Sequence, residues 1–171
     1  FGARGSPEYL AQVFRKWLVA SVYRTFEPGY KFDWMPIFQG AQGTGKSSFG
    51  SILFGDDYFV DWLPVLSDKD AAFALQGNRC AEFGELAGIR RAEMDQTKAF
   101  IGRRVDKVRP VYGRVWEHIR RQCVFFGTTN MDTYLKDDRG NRRFNPVEVG
   151  RLNFEALGRD REQLWAAALV I

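Results

Sequence analysis

The sequence is poor in the side chains that bind transition metals or carry thiol chemistry. It contains one histidine, His118, and two cysteines, Cys80 and Cys123. A structural zinc site needs four Cys or His ligands, so a zinc-stabilised domain is excluded. Both cysteines lie in apolar runs, which is typical of small buried residues in a reducing compartment. A catalytic pair of Cys123 and His118 is the thiol chemistry that the composition leaves open.

Long hydrophobic runs are also missing. No stretch approaches eighteen apolar residues, so no membrane-spanning helix and no membrane partner are predicted. No charged and then apolar leader opens the chain. The first residue is Phe1, and residues 165–171 resemble an unfinished apolar helix. We therefore expect a domain cut from a longer protein.

What remains is the composition of an ordinary globular domain. The 171 residues are 45% hydrophobic and 27% charged, with a net charge of +4. The positive charge is concentrated between residues 86 and 121, where ten Lys or Arg face four Asp or Glu. The rest of the chain is slightly acidic. This distribution permits a nucleic-acid partner for the basic segment.

Strand and helix patterns alternate along the chain. Short apolar runs predict strands at 34–39, 80–83, 122–127 and 143–147, and a turn is predicted at 137–140. Helical spacing and capping residues predict a first helix that begins at Pro7 and ends near 27–29. Further helices are predicted over 46–53, 67–76, 91–101 and 160–171. The alternation predicts an α/β fold with a mostly parallel central sheet flanked by helices.

A glycine-rich loop lies between a predicted strand and a predicted helix. Residues 40–47 read Gly-Ala-Gln-Gly-Thr-Gly-Lys-Ser and match the phosphate-loop pattern of nucleotide-binding proteins. Glycines allow the backbone N–H groups to surround phosphates, a lysine supplies charge, and a serine hydroxyl can bind Mg²⁺. The sequence thus predicts a site for a nucleotide and Mg²⁺, without saying which nucleotide, built from Gly40, Gln42, Gly43, Thr44, Gly45, Lys46, Ser47 and Ser48.

Acidic and polar residues follow the next two strands. Glu82 and Glu85 end the strand at 80–83, and Asn130 follows the strand at 122–127. In this setting Glu82 is the predicted metal-side acid with Ser47, and Glu85 is the predicted general base, although the two could exchange roles. Asn130 is predicted to orient the attacking water.

Two arginines follow the predicted turn. Arg142 and Arg143 are predicted to stabilise charge on a transferring phosphoryl group, as an arginine finger does. The alternative is that they are only solvated surface charges.

The order of these motifs resembles the virulence-associated protein E family of ATPases, found in phages and mobile elements and related to superfamily 3 helicases. The matching segments are residues 39–47, 82–86, 98–100, 106–114, 126–130, 135–137, 140–144 and 163–165. The family usually carries an acid in the helix after 163–165, where this chain has three alanines at 166–168.

The resemblance implies a superfamily 3-like P-loop fold of the broad AAA+ class in one ATPase domain over 1–171. Its expected parts are an N-terminal helix in 1–30, the core in 31–150 and the start of a C-terminal helical part in 151–171. It also implies assembly into a ring, expected to be hexameric, work on single-stranded or forked DNA, and a primase domain or partner. The expected location is the cytoplasm of a bacterial or phage-infected cell.

The basic segment is then the predicted DNA-binding region. Lysines and arginines neutralise phosphates, and aromatic rings stack on bases. The predicted contacts are Lys98, Arg103, Arg104, Lys107, Arg109 and Tyr112, with Phe100 as a second aromatic. Pairing of Asp106 with Arg109 inside the protein is the alternative for this segment.

Three functions remain open from the sequence. The first is an ATP-driven DNA helicase or translocase in the replication of a mobile element. The second is a small-molecule P-loop kinase, with Arg142 and Arg143 on a lid. The third is an assembly protein that uses nucleotide without hydrolysing it. A GTPase is disfavoured, because residues 130–132 lack the guanine-reading pattern Asn-Lys-x-Asp.

Overall fold

The computed structural model describes residues 2–61, 63, 69–86, 91–110, 113–130 and 141–170. In chain order its strands are β1 Ala3–Arg4, β2 Met35–Gln39, β3 Phe59–Val60, β4 Cys80–Phe83, β5 Val105–Val108, β6 Glu117–Arg120, β7 Val124–Thr129 and β8 Phe144–Val149. The helices are α1 Pro7–Phe26, α2 Ser48–Phe54, α3 Lys69–Ala74, α4 Arg91–Ile101 and α5 Phe154–Leu169, with short 3₁₀ turns at Asp56–Tyr58 and Asn141–Arg143.

Six of the strands form one sheet in the order β1-β8-β2-β7-β4-β3. Every neighbouring pair in it is parallel except β1 with β8. The predicted α/β fold with a mostly parallel central sheet is confirmed. β2 lies between β7 and β8, so the carboxyl ends of several parallel strands meet at the edge of the sheet where the glycine-rich loop begins.

Alternate residues of the strands face two separate cores, as the period of a strand requires. Phe38 and Phe126 pack with α1, α2 and α5 on one face, whereas Ile37 and Phe125 pack with α3 and α4 on the other. Trp17 of α1 anchors the first core: it is fully buried, and its indole N–H donates to the Phe125 carbonyl at 2.8 Å. The helices therefore cover both faces of the sheet.

The ends of α1 agree with the sequence signals. Ser6 caps the helix, its hydroxyl oxygen accepting from the Tyr9 N–H, and Pro7 is the first helical residue. α4 and β4 also have their predicted bounds. Among the described helices, none is both long and apolar enough to cross a membrane.

Some predicted bounds are wrong. The last helix begins six residues before the predicted start at 160, because Asn153 caps it by accepting the Ala156 N–H at 3.0 Å. β7 and β8 extend two residues further toward the carboxyl edge of the sheet than predicted. The hairpin of β5 and β6 was not predicted at all. The turn at 137–140 lies outside the described residues.

Candidate functional site

The glycine-rich loop, residues 40–47, connects the carboxyl end of β2 to α2. Gly43 and Gly45 have positive φ angles of 77° and 85°, which side chains disfavour. A Cβ atom on Gly45 would also lie 2.3 Å from the ring of Phe154. The loop is therefore shaped by glycine at these positions, and the first turn of α5 packs against it.

Lys46 lies folded over this loop. Its Nζ donates to the carbonyl oxygens of Gly40 at 2.7 Å and Ala41 at 2.8 Å. Burial lowers the pKa of Lys46, and the nearby Glu82 carboxylate opposes that shift. The ammonium group is thus held at the loop by carbonyl oxygens and lies in the electrostatic range of an acid.

Glu82 is the buried acid of the site, with 3% of its surface exposed. Its Oε1 accepts hydrogen bonds from Ser47 Oγ at 2.9 Å and from Thr128 Oγ1 at 2.7 Å. Its Oε2 is buried without a hydrogen-bond partner in the described part of the chain. Burial raises the pKa of Glu82, although the two hydroxyl donors act against the shift.

This donor set fits a magnesium ion. Hydroxyl and carboxylate oxygens are ligands that Mg²⁺ prefers, and the unpartnered Oε2 has free lone pairs. The described residues include no cluster of three or more His, Cys, Asp or Glu that could hold a metal. Mg²⁺ commonly takes its remaining ligands from water and substrate phosphates, so a sparse protein site of this kind suits it.

The loop and the strand ends enclose a cavity of about 260 Å³. It is lined by Gln42, Gly43, Thr44, Gly45, Lys46, Ser47, Ser48, Glu85, Thr128, Thr129 and Asn130. Glu82 reaches this lining through its bonds to Ser47 and Thr128, and Gly40 lies at the start of the loop beside the Val149 carbonyl. The structure thus brings the predicted loop residues, both acids and Asn130 into one place.

Glu85 has an unusual backbone. Its φ of 50° is the only positive value at a non-glycine residue in the described chain. The N–H of the next residue, Leu86, donates to the Thr128 carbonyl at 2.9 Å, which ties this bend to β7. Such strained conformations are concentrated at functional sites. Unlike Glu82, Glu85 is exposed and lines the cavity directly.

The arginines predicted to act on the phosphates lie at the amino-terminal ends of the parallel strands, opposite the carboxyl ends where the glycine-rich loop begins. Arg142 and Arg143 precede β8, whose first residue Phe144 pairs with Met35 at the start of β2. The five residues of β2 put about 13 Å between that edge and the loop. Arg143 also faces Asp33, with 3.7 Å between Nε and Oδ2. Neither arginine reaches the cavity of its own chain.

The predicted DNA-binding residues separate into buried and exposed groups. Lys98 is 8% exposed and forms an ion pair with Asp95 at 3.3 Å. Arg103, Arg104, Lys107 and Arg109 are exposed on or beside β5. Tyr112 lies outside the described residues.

Two expectations for the basic segment are wrong. Phe100 belongs to the second core and is buried, so its ring cannot stack on a base. Asp106 pairs with the buried Arg121, whose Nη2 lies 2.8 Å from Oδ1, and not with Arg109. Arg109 instead donates to the Gly113 carbonyl at 3.1 Å.

Two residues were missed in the sequence. Thr128 precedes Asn130 by two positions, and a threonine at a polar strand end is the only signal that marks it. Trp116 lies beside the outer end of the β5–β6 hairpin and is 57% exposed, with Lys107 Nζ 5.3 Å from its ring centroid. An aromatic residue amid basic residues is the available signal there, and the same signal marks Phe100 and Tyr112.

Comparison with solved structures shows the same fold in longer chains. Two apo structures of the NrS-1 C terminal region match 98% of this chain with a TM-score of 0.63, at 14% and 15% identity. A third structure of that region matches 94% with a TM-score of 0.53 and 16% identity. The chain covers 47%, 46% and 41% of these structures, less than half of each.

Comparison with curated proteins finds no match. The virulence-associated protein E-like domain model matches residues 1–171, which is the whole chain. The family expected from the order of the motifs is therefore confirmed, and the chain belongs to the virulence-associated protein E-like domain family.

Proposed function

We propose that this chain is a P-loop ATPase of the superfamily 3-like class, the motor of a DNA helicase or translocase that replicates a phage or mobile element. One observation carries the proposal: the glycine-rich loop, the Ser47–Glu82 pair, Glu85 and Asn130 converge at the carboxyl edge of a parallel sheet. Ligands of open α/β sheets bind at that edge. The proposed location is the cytoplasm of the host cell.

The loop is the proposed binding site for the ATP phosphates. Its backbone N–H groups and the Lys46 ammonium offer positive charge to the phosphate oxygens. Mg²⁺ would be held by Ser47 Oγ and by Glu82, in part through water, and would neutralise charge on the phosphates. The buried hydroxyl bonds keep the Glu82 side chain fixed at this position.

The two acids differ in a way that supports separate roles. Glu82 is buried and accepts two hydroxyl hydrogen bonds, as a residue that orients a metal ligand would. Glu85 is exposed on the cavity wall near Asn130 and is available to a water molecule. We therefore assign the general base to Glu85 and the orientation of the attacking water to Glu85 and Asn130.

A neighbouring apolar cavity is the proposed site for the nucleotide base. It has a volume of about 410 Å³ and is lined by Gly2, Ala3, Leu10, Ala11, Phe14, Leu18, Phe49, Leu53, Leu157 and Leu164. Phe49 lies in the first turn of α2, and Leu157 lies one turn beyond Phe154, which touches Gly45. A base in this cavity would be held by apolar contact, with its phosphates at the loop.

The arginine positions support a site that is completed by a second copy. Within one chain, Arg142 and Arg143 lie at the edge of the sheet opposite the loop, so they suit a head-to-tail contact and not a two-fold one. Repetition of such a contact closes into a ring when the rotation permits. We propose a ring, hexameric by family resemblance, in which these arginines complete the neighbour's site.

The β5–β6 hairpin is the proposed DNA contact. It carries exposed Arg103, Arg104, Lys107 and Arg109 together with Trp116, which offers a ring for base stacking. Its basic side chains suit phosphates, and an exposed ring requires unpaired bases. The proposed partner is therefore single-stranded or forked DNA, with a primase as a further partner.

The proposed function is tested by nucleotide turnover with and without a single-stranded oligonucleotide. Wild-type protein should release phosphate from ATP faster when the oligonucleotide is present. Lys46→Ala should abolish phosphate release and leave the melting temperature close to that of Lys16→Ala, a matched change at an exposed lysine of α1.

Two outcomes would contradict this proposal. Phosphate release that single-stranded DNA does not accelerate would favour the kinase or the assembly protein. Turnover that survives in Lys46→Ala would remove the nucleotide site from this loop.

A further inference from the structure

The carboxylate of Glu82 is anchored unevenly. Both of its hydrogen bonds, from Ser47 and from Thr128, end on Oε1. Oε2 has no hydrogen-bond partner among the described residues, although it is buried. A buried acceptor without a partner costs free energy unless a ligand satisfies it. One oxygen is therefore used for anchoring and the other is left free.

The strand register explains why Thr128 provides the anchor. Glu82 of β4 pairs with Phe126 of β7, and Thr128 lies two residues further on the same face. Thr128 is buried and β-branched, so its side chain has few alternative rotamers. Its hydroxyl is a fixed donor, whereas Glu82 has three flexible side-chain torsions and needs one.

We propose that Thr128 is a positioning residue for the divalent cation. It holds the Glu82 side chain so that Oε1 accepts the hydrogen bond from the Ser47 hydroxyl and Oε2 remains free for the metal or its water. The inference rests on the proposed function, because it concerns the same site. Because the Ser47 hydroxyl donates its hydrogen bond to Glu82, its oxygen lone pairs face the cation. Thr128 acts through Glu82 and needs no contact with the metal.

The test separates metal-dependent from metal-free nucleotide binding. A fluorescent ATP analogue is titrated by anisotropy into wild type, Thr128→Val and Thr128→Ser, first in EDTA and then at rising Mg²⁺. Thr128→Val removes the hydroxyl at constant shape. It should need roughly ten- to a hundredfold more Mg²⁺ for the same gain in affinity. Its affinity in EDTA should equal that of wild type, and Thr128→Ser should restore the wild-type Mg²⁺ midpoint.

The control is another buried threonine. Thr97 of α4 is as buried as Thr128 but donates to the Glu93 carbonyl within its own helix. Thr97→Val should keep the wild-type Mg²⁺ midpoint. If Thr128→Val does not fold, Thr128→Ala also lacks the hydroxyl and carries the same expectation.

An unchanged Mg²⁺ midpoint in the folded variant would overturn the inference and leave the proposed function intact. An equal loss of affinity in EDTA would overturn it as well, because Thr128 would then support the loop and not the metal. A wild-type protein that binds no nucleotide at any Mg²⁺ concentration would remove the proposed function, and this inference with it.

Discussion

Two carboxylates a few residues apart experience opposite environments at this site. Glu82 is buried under two hydroxyl donors, whereas Glu85 is exposed on a strained backbone with a φ of 50°. Burial raises the pKa of the Glu82 carboxyl, and the positive φ of Glu85 costs the folded state some stability. The effect of each residue on the free energy of unfolding can be measured by replacing that residue alone.

Glu85→Gly should stabilise the fold and abolish phosphate release. Glycine adopts positive φ without a steric penalty, so relief of strain outweighs the added freedom of the unfolded chain by up to about 1 kcal/mol. Urea unfolding measures the gain. Glu85→Gln keeps the strain, so it should lose turnover with unchanged stability, and equal stability of the two variants would contradict the strain at Glu85.

Glu82 should make stability depend on pH in metal-free buffer. Because its pKa is raised on folding, the folded protein binds the proton more tightly than the unfolded chain does. The free energy of unfolding from this group therefore falls as the pH rises from the ordinary carboxyl range through the raised pKa.

Glu82→Gln keeps an oxygen for both hydroxyl donors and carries no charge. It should remove that fall and be more stable than wild type at neutral pH, in urea unfolding with EDTA. Glu148→Gln, at an exposed position on β8, is the control and should retain the wild-type pH dependence. A Glu82→Gln protein that is less stable at neutral pH would show that the charge helps the fold.

At the scale of elements, the sequence predicted those segments that have both an apolar run and clear ends. β4 and α4 have their predicted bounds, and α1 has its predicted cap. The hairpin escaped prediction because its strands alternate exposed charged residues with few apolar ones, as in the exposed side chains of Lys107 and Glu117. Its pairing depends on contacts that no local pattern encodes.

The candidate site was likewise predicted where a local motif marks it and missed where it depends on contacts between strands. Motif order was enough to predict that the loop, Glu85 and Asn130 meet at one sheet edge, because parallel strands align their carboxyl ends. It could not predict that Thr128 bonds to Glu82, which depends on the register of β4 and β7. It also could not separate buried Lys98 from exposed Lys107. The chemical roles of all these residues stay predictions.

Variants of the β5–β6 hairpin should separate the contribution of base stacking to DNA binding from the contribution of charge. Trp116→Ala should weaken binding of a single-stranded oligonucleotide by about 1–3 kcal/mol, through loss of a stacking surface. Lys107→Ala should reduce the slope of log affinity against log salt by roughly 0.7. Fluorescence anisotropy over a salt series measures both.

The control for stacking is Phe26→Ala, which removes an exposed aromatic ring at the end of α1. Its binding should equal that of wild type. Lys98→Ala should leave the salt slope unchanged, because the lysine is buried beside Asp95. Equal losses in Trp116→Ala and Phe26→Ala would remove the hairpin as the stacking site.

At the scale of the whole molecule, the two halves of the proposed catalytic site lie at opposite edges of one sheet. Arg142→Ala with Arg143→Ala should leave nucleotide binding intact and reduce turnover by about 10³-fold or more. Mixing this double variant with Lys46→Ala should restore activity above either protein alone, since intact loops then lie beside intact arginines. A mass measurement in the presence of ATP and single-stranded DNA first shows that mixed assemblies form. Phosphate release is then measured on the same mixtures.

Asp33→Asn is the matched control for the arginines. It breaks the internal ion pair of Arg143 and keeps both guanidinium groups. Its turnover should stay close to that of wild type. If it loses as much turnover as the arginine variant, or if mixed assemblies form without recovery, the arginines hold the fold and do not act on a neighbour.

The contact between Phe154 and Gly45 has a mechanical consequence. The Leu152 N–H also donates to the Thr44 carbonyl at 3.2 Å, so the loop is fastened to the start of α5 by a ring contact and a backbone bond. A shift of the loop on gaining or losing a phosphate must either break that fastening or carry α5 with it. α5, whose first residue Phe154 touches the loop, would then transmit the displacement along its 16 residues to the helices α1 and α2 that pack against it.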